Sequence, residues 1–521
     1  MLLNRVLRGA ALAAALFVAG AHNGHVAAQT SRTIPRTADG RPSLDGIWRV
    51  QGQAAADLQT VAAGGAIPYQ PAAAQQKAQN FANRATADPL NKCFMAGVPR
   101  MMSLDWPFQI LQTRDHVSML FEWTQVYRLI YTNGTPHDDR LQPWMGDARG
   151  RWDGDTLVVE IANHNDQTWL DAAGNFHSDA LKVVERYTLR DADTIQYEVT
   201  IEDPKVFTRP WTYSLSFRRQ RGMDRVLEHH CQALKEEANG EFEPQPRTWY
   251  LGPNSSKPPV AFAPPAQAPK PWTAPASVRR TADGKPDLNG LFESDHGGSN
   301  YGLETHGPSP GALTPPGRGV VVDPADGRLP YQAWARAERE YRDTPIRGYD
   351  DPTAHCFPPG VPRSIYVPTP FHIVQTRDFI ATLHERISWR LISLNRTRHV
   401  PDGVRLWQGD SIGRWDGDAL VVETTNFNGR TWGNEVGDVF SHAEHVVERF
   451  MPVDADNIRY EATITDPIVY TRPFTIAMPL RRLKGELMEA ACHEEEHDLP
   501  VLKRIRDMER ARKAATPAAG R

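Results

Sequence analysis

The chain repeats itself. Arg36-Thr37-Ala38-Asp39-Gly40-Arg41-Pro42, followed by Asp45-Gly46-Ile47-Trp48, returns as Arg280-Thr281-Ala282-Asp283-Gly284-Lys285-Pro286, followed by Asn289-Gly290-Leu291-Phe292, and the correspondence continues for about two hundred residues. A period this long exceeds a solenoid or propeller unit, so each copy is expected to be a domain with its own core. Duplication also sorts residues: one kept in both copies serves the shared fold or a shared site, and one present once serves neither of necessity.

Residues 1–28 read as a signal peptide, with Arg5 and Arg8 in a basic n-region, an apolar stretch from Ala10 to Gly20, and small residues at Val26-Ala27-Ala28. The mature protein is then expected in the periplasm or outside the cell. No apolar run reaches the roughly 20 residues that cross a bilayer, so no membrane span is expected. A net charge of -4 and the lack of a basic stripe interleaved with aromatics argue against nucleic acid as a partner.

Cysteine placement agrees with export. Cys93 and Cys231 lie in the first copy and Cys356 and Cys492 in the second, in register, with separations of 138 and 136 residues. Of the three possible connectivities, the duplication selects one disulfide within each copy. Closing so long a loop stabilises by about 4–5 kcal/mol in the chain-entropy account. Metal ligation or a reactive thiol is the competing use, and an oxidising compartment favours the disulfide.

Residues 30–250 form the first repeat and 278–500 the second, joined by a proline-crowded linker at 251–277 and followed by a charged tail at 501–521 with helical propensity from Lys503 to Lys513. The second copy carries an extra Gly/Pro-rich stretch, Gly297 to Gly317, which reads as a surface loop. Within the first copy, period-two or wholly apolar runs predict strands at Phe108–Thr113, His116–Glu122, Val126–Thr132, Arg151–Trp152, Thr156–Asn163, Leu181–Arg190, Thr194–Glu202 and Thr212–Arg218. Asp153-Gly154 and Asp416-Gly417 mark tight turns between a tryptophan and a Leu-Val-Val-Glu strand. Helical patches fall at Pro71–Arg84 and Tyr331–Arg342. An antiparallel meander of this size fits a closed barrel better than a sandwich or open sheet, because closure removes the edges. The fold class expected is mostly β: two tandem lipocalin-like (calycin-like) antiparallel barrels with short helices.

Both copies keep Cys93-Phe94-x-x-Gly97-Val98-Pro99-Arg100 and Cys356-Phe357-x-x-Gly360-Val361-Pro362-Arg363, Gly150-Arg151-Trp152-Asp153-Gly154-Asp155 and Gly413-Arg414-Trp415-Asp416-Gly417-Asp418, and Val183-Val184-Glu185-Arg186 and Val446-Val447-Glu448-Arg449. On these elements the chain resembles an uncharacterised family of secreted bacterial proteins, here as a tandem duplication. The resemblance covers most of the mature chain; it implies export and supplies no reaction. Neither copy has the family's whole polar set: Ala148 stands against Ser411, Lys182 against His445, and His177-Ser178-Asp179 against Phe440-Ser441-His442.

Charged residues retained in apolar strands must be paired or serve a ligand. Glu122 with Arg128, and Glu385 with Arg390, are candidate pairs; read as chemistry, Glu122, Glu385, His137 and His399 are candidate acid/base groups. Arg128, Arg390, Trp144, Trp407, Trp152, Trp415, Asn163 and Asn426 are candidate ligand contacts, the tryptophans for a flat or apolar partner. His493-Glu494-Glu495-Glu496-His497 has the spelling of a zinc-protease helix, but Cys492 adjoins it, Pro500 follows, and the first copy has no counterpart, so no metal site is expected. Gly409-Asp410-Ser411-Ile412-Gly413 has the spelling of a nucleophile elbow, yet the following Trp-Asp-Gly-Asp predicts a hairpin rather than a helix. The expectation is a protein that binds a small apolar or amphipathic ligand without a cofactor. The alternative is a cofactor-independent hydratase, isomerase, lyase or hydrolase that uses buried glutamate and histidine.

Overall fold

A computed structural model describes residues 33–239, 271–294, 297–307, 316–343, 348–386 and 388–515. The expected signal peptide at 1–28 lies outside the described residues, as does most of the linker.

The first copy folds into nine strands: β1 (Gly46–Gln51), β2 (Phe108–Gln112), β3 (His116–Phe121), β4 (Tyr127–Tyr131), β5 (Asp147–Asp153), β6 (Thr156–Ala162), β7 (Lys182–Asp191), β8 (Thr194–Glu202) and β9 (Trp211–Arg219). Each pairs with the next and β9 closes on β1, so the sheet is a closed barrel. The second copy repeats this with β10 (Gly290–Ser294), β12 (Phe371–Gln375), β13 (Phe379–His384), β14 (Ser388–Ser393), β15 (Asp410–Asp416), β16 (Ala419–Thr425), β17 (His445–Pro452), β18 (Asn457–Thr465) and β19 (Phe474–Arg482). There β19 pairs with β10, and an added short strand, β11 (Val321–Asp323), lies along β19. Two closed β-barrels in tandem are therefore the architecture. The disulfides are Cys93–Cys231 and Cys356–Cys492, one in each copy, as expected.

Local sequence explains the strands that face solvent on one side. In β8 and β9 every second residue is buried, Ile195, Tyr197, Val199 and Ile201 against Trp211, Tyr213, Leu215 and Phe217. Arg219 lies over the Trp48 ring at 4.2 Å and donates to the carbonyls of Asp45 and Ala192; Arg482 repeats this over Phe292 at 4.5 Å. This cation–π lid closes one end of each barrel.

Strands β2, β3, β12 and β13 are buried almost throughout, because a second face meets the other barrel. Phe108, Ile110, Val117 and Met119 fill the first interior, whereas Leu111, Leu120 and Tyr127 pack with Val374, Ala381, Leu383 and Trp389 of the second copy. The contact is a pseudo-twofold: the Tyr127 hydroxyl donates to the His384 carbonyl at 3.0 Å, and the Trp389 indole N–H donates to the carbonyl of Phe121, the equivalent of His384, at 3.2 Å.

The barrels are not wholly antiparallel. The chain returns from β4 to β5 in parallel, with the single register pair Tyr131–Arg149; β14 and β15 share two pairs. Gly150 and Gly413 lie at these seams, where a Cβ would come within 2.8 Å of Ile130 and Ile392.

Most residues kept in both copies serve this frame. Arg100 grips Asp88 through two hydrogen bonds of 2.7 and 2.8 Å, and Arg363 grips Asp351 at 2.9 and 2.8 Å. Arg36 and Arg280 hold Asp155 and Asp418. The end of the linker is docked, with the Trp272 indole donating to Pro452. The extra stretch of the second copy is not simply a surface loop: Ser299, Asn300 and Leu303 are buried, and Asn300 accepts from Arg363.

Candidate functional site

The expected pairing of Arg128 with Glu122 is corrected. Arg128 points into the first barrel and donates to Glu185 at 2.6 Å and to the Tyr187 hydroxyl at 3.1 Å, while Tyr197 donates to the other Glu185 oxygen at 2.6 Å. Arg390 likewise meets Glu448 rather than Glu385, and is completed by Ser411 at 3.0 Å and Thr424 at 2.9 Å. Glu122 and Glu385 sit at hairpin turns. Glu122 accepts from the Leu227 N–H at 3.1 Å; Glu385 is half-buried, and that burial raises its carboxyl above the ordinary range, with Arg386 opposing. The partners actually used were present in the Val-Val-Glu-Arg elements. Glu185 shares the inward parity of Val183 and Tyr187, a signal that could have found it.

His137 and His399 each hold an aspartate of the Trp-x-Gly-Asp elements, His137 Nδ1 to Asp147 at 2.9 Å and His399 Nδ1 to Asp410 at 3.0 Å. Asn163 and Asn426, both in left-handed backbone (φ 58° and 62°), donate their amides to carbonyls of the loops that carry these histidines. Trp144 and Trp407 pack on Phe94 and Phe357, with ring centroids 5.6 and 5.3 Å apart. Trp152 and Trp415 lie on the β5–β6 and β15–β16 hairpins beneath Arg41 and Lys285. None of these four rings lines the cleft described next.

The parallel seam of the first barrel opens as a cleft of about 900 Å³. It brings together Arg128, His137, Asp147 and Arg149 with the rings of Tyr127 and Tyr131 and an apolar set that includes Leu129, Leu141, Met145 and Leu487. Glu122 is not among its residues. The corresponding space in the second barrel is only about 40 Å³. The difference is local. In the second barrel Arg396 and Arg225 both reach Asp410, at 2.7 and 2.8 Å, and occupy the seam; the first barrel has Gly134 in place of Arg396 and Glu486 in place of Arg225. Asp147 is instead bound by Arg149 of its own strand at 2.9 Å, and Arg149 also donates to Glu486 at 2.7 Å.

Glu486 belongs to the other copy. After its last strand each copy sends a tail across its partner barrel before returning to its own disulfide. Glu489 accepts from the backbone N–H groups of Trp144 at 2.6 Å and Met145 at 3.2 Å, and Glu228, at the equivalent place, accepts from those of Trp407 and Gln408. Residues 485–489 thereby line the first-barrel cleft. Burial pushes the Glu489 carboxyl up to about 7, with Glu494 and Glu495 acting in the same direction and the two N–H groups against it.

The first interior also holds His164 and His177, where the second has Phe427 and Phe440. His177 bonds Thr168 at 2.7 Å; among the described residues neither ring nitrogen of His164 has a partner, and burial holds this imidazole well below its ordinary range.

The two tempting motifs resolve as structure. His493 lies in a short turn of helix, Cys492–Glu495, and bonds the Lys92 carbonyl, whereas His497 follows it outside that helix. Ser411 sits within β15, bonded to Arg390. Among the described residues no helix is long and apolar enough to cross a membrane.

No family model matches the chain, and no curated protein is similar to it. Among solved structures it is similar to a mutant of the fluorescent protein UnaG, at 14% identity over 34% of this chain and 96% of that one, with a TM-score of 0.17. It is also similar to a protein of unknown function of the DUF3598 family from Nostoc punctiforme, at 8% identity over 73% and 88% of the two chains, with a TM-score of 0.14. Strand pairing within the chain itself defines the two barrels.

Proposed function

We propose that this is an exported protein that binds a small amphipathic molecule in the seam cleft of its first barrel. The observation that carries the reading is the contrast between equivalent seams, open at about 900 Å³ in one copy and filled by two arginines in the other. A frame that closes the same gap when Arg396 and Arg225 are present does not need the opening for stability. Leu129, Leu141, Met145 and Leu487 offer an apolar bed, while His137 and Arg149 offer polar contacts at the same cleft. His137 engages Asp147 through Nδ1, which leaves Nε2 as the ring nitrogen available to a ligand. Two intracopy disulfides and the leader support export.

The test is native purification from the exporting cell's envelope, followed by mass spectrometry of bound small molecules. A stoichiometric amphipathic ligand is expected, lost from an Ala148→Trp variant that fills the seam and kept in a variant altered only in the second barrel. A protein that is empty, and that binds no component of the source extract, would overturn the reading.

A second reading has one specific observation behind it. Glu489, with its carboxyl near 7, and His137 line the same cleft, so a proton donor and acceptor are available to a bound molecule. In that case His137→Ala abolishes turnover of a source component while the component still binds. Under binding alone, the same change merely weakens affinity.

A further inference from the structure

The two copies also finish the end of the barrel beside the β3–β4 and β13–β14 hairpins differently, and independently of the seam. In the first copy that end is plugged by aromatics. Trp106 and Trp123 lie with ring centroids 5.7 Å apart, His229 packs on both at 4.5 and 5.0 Å, and Phe121 is buried beneath the hairpin. In the second copy Thr369 stands in place of Trp106, Arg386 in place of Trp123, His384 in place of Phe121 and Ser388 in place of Val126. With these replacements the second copy has a pocket of about 260 Å³ there, to which Phe357, Pro358, Pro359 and Pro368 contribute an apolar side.

The replacements are polar and unsatisfied. His384 is 3% exposed, and its Nε2 is engaged by the Thr382 hydroxyl at 3.0 Å, but among the described residues neither Nδ1 nor the buried Thr369 hydroxyl has a partner. Leaving a buried polar atom unpaired is costly, and a bound hydrogen-bonding group recovers that cost. Burial, with Arg390 acting in the same direction, lowers the His384 imidazole to about 3, so the ring stays neutral. Arg363, the buried cation of the lining, is already committed to Asp351 and Asn300, and Glu435 is committed to Asn300. Arg386, the other cation of the lining, is exposed on the hairpin and acts on Glu385, so the buried wall around His384 offers a charged ligand no counter-charge in return for its lost hydration.

We propose that this end of the second barrel is a second binding site, distinct from the seam cleft, for a small neutral molecule with an apolar ring and one hydroxyl, carbonyl or amide group. The ring lies against Phe357 and the prolines, and the polar group meets His384 Nδ1 and the Thr369 hydroxyl.

Benzyl alcohol is a suitable probe and benzoate its charged comparator. The full mature protein, labelled with ¹⁵N-histidine, is titrated while the imidazole nitrogen resonances are followed; His384 is identified by the resonance missing from His384→Phe. Benzyl alcohol is expected to move the His384 Nδ1 resonance saturably, and benzoate is expected not to. His384→Phe, which installs the first copy's residue and is titrated through the line-broadening of the benzyl alcohol resonances, weakens binding roughly five- to tenfold as one hydrogen bond is lost. Thr369→Trp, again the first copy's residue, fills the pocket and abolishes binding. If Thr369→Trp fails to fold, His384→Phe still decides. No saturable movement of His384, equal binding of benzoate, or unchanged affinity in His384→Phe would each overturn the proposal; the last two results would mean a site without the stated chemistry.

Discussion

Glu489 of the second copy holds the backbone of Trp144 in the first, at 2.6 Å, and its counterpart Glu228 holds Trp407 in the reverse direction. The copies are thus not beads on a string. Each supplies the clasp for its partner's Trp-x-Gly-Asp loop, and the two disulfides anchor the tails that carry the clasps.

Removing either clasp strands two backbone N–H groups. Glu489→Ala and Glu228→Ala should each lower stability by about 1–3 kcal/mol in urea unfolding. Only Glu489→Ala should also weaken a ligand of the first-barrel cleft, since residues 485–489 line it. Equal loss of affinity in both variants would argue that the tails act through global stability alone.

The buried ion pairs should differ in consequence. Arg128→Met and Arg390→Met each leave a glutamate unpaired in a barrel interior, a change that costs about 3–5 kcal/mol. Arg390 also satisfies Ser411 and Thr424, whereas Arg128 Nε has no partner among the described residues, so Arg390→Met is expected to be the more damaging. Replacing both members, as in Arg390→Met with Glu448→Met, should recover most of the loss. Chemical denaturation of the three variants decides it.

Acid should attack the second seam through Asp410. Burial acts to raise this carboxyl, but hydrogen bonds from His399 and Arg396, and the charges of Arg396 and Arg225, outweigh it and hold the group at about 2. Because the folded value lies below the ordinary 3.8, the stability it contributes is present above pH 3.8 and is lost as pH falls through about 2. Asp410→Asn should flatten that part of the stability–pH curve, measured by thermal melts across the acid range.

Glu489 has the opposite sign. Its carboxyl lies above the ordinary 4.5, so its favourable contribution is complete below pH 4.5 and disappears as pH rises through about 7. Glu489→Gln should therefore reduce the loss of stability between those limits; an unchanged curve would place the titration elsewhere.

Reduction should uncouple the copies. Each disulfide closes a loop of more than a hundred residues, worth about 4–5 kcal/mol in the chain-entropy account. The Cys356→Ser, Cys492→Ser double variant is expected to lose stability of that order. It should also lose ligand in the first barrel, because the freed tail is the one that borders the cleft; the Cys93→Ser, Cys231→Ser variant should not. Paired measurements of unfolding and affinity separate these effects.

Retention in both copies proved to be a guide to structure. Arg100 with Asp88, Arg36 with Asp155, Asn163 with its loop carbonyl and Arg128 with Glu185 all recur in the second barrel as frame contacts. The openings lie where the copies differ, at Gly134 against Arg396, Glu486 against Arg225, and Thr369 against Trp106. The candidate residues His137 and Arg128 do line the cleft, but Glu122 does not, and the Glu489 that completes it had no signal in its own neighbourhood.

The duplication, the strands, the hairpins and the disulfide pairing are legible in the residues alone, because period-two burial, Asp-Gly turns and register between repeats are local or self-comparing properties of a chain. Which carboxylate meets which arginine, which strands are buried on both faces and which seam stays open are settled in the folded molecule. Those outcomes depend on barrel closure and on two tails crossing between copies. A tail's partner lies hundreds of residues away in sequence, as Glu489 does from Trp144, and only the folded geometry brings its carboxylate to the N–H groups it satisfies.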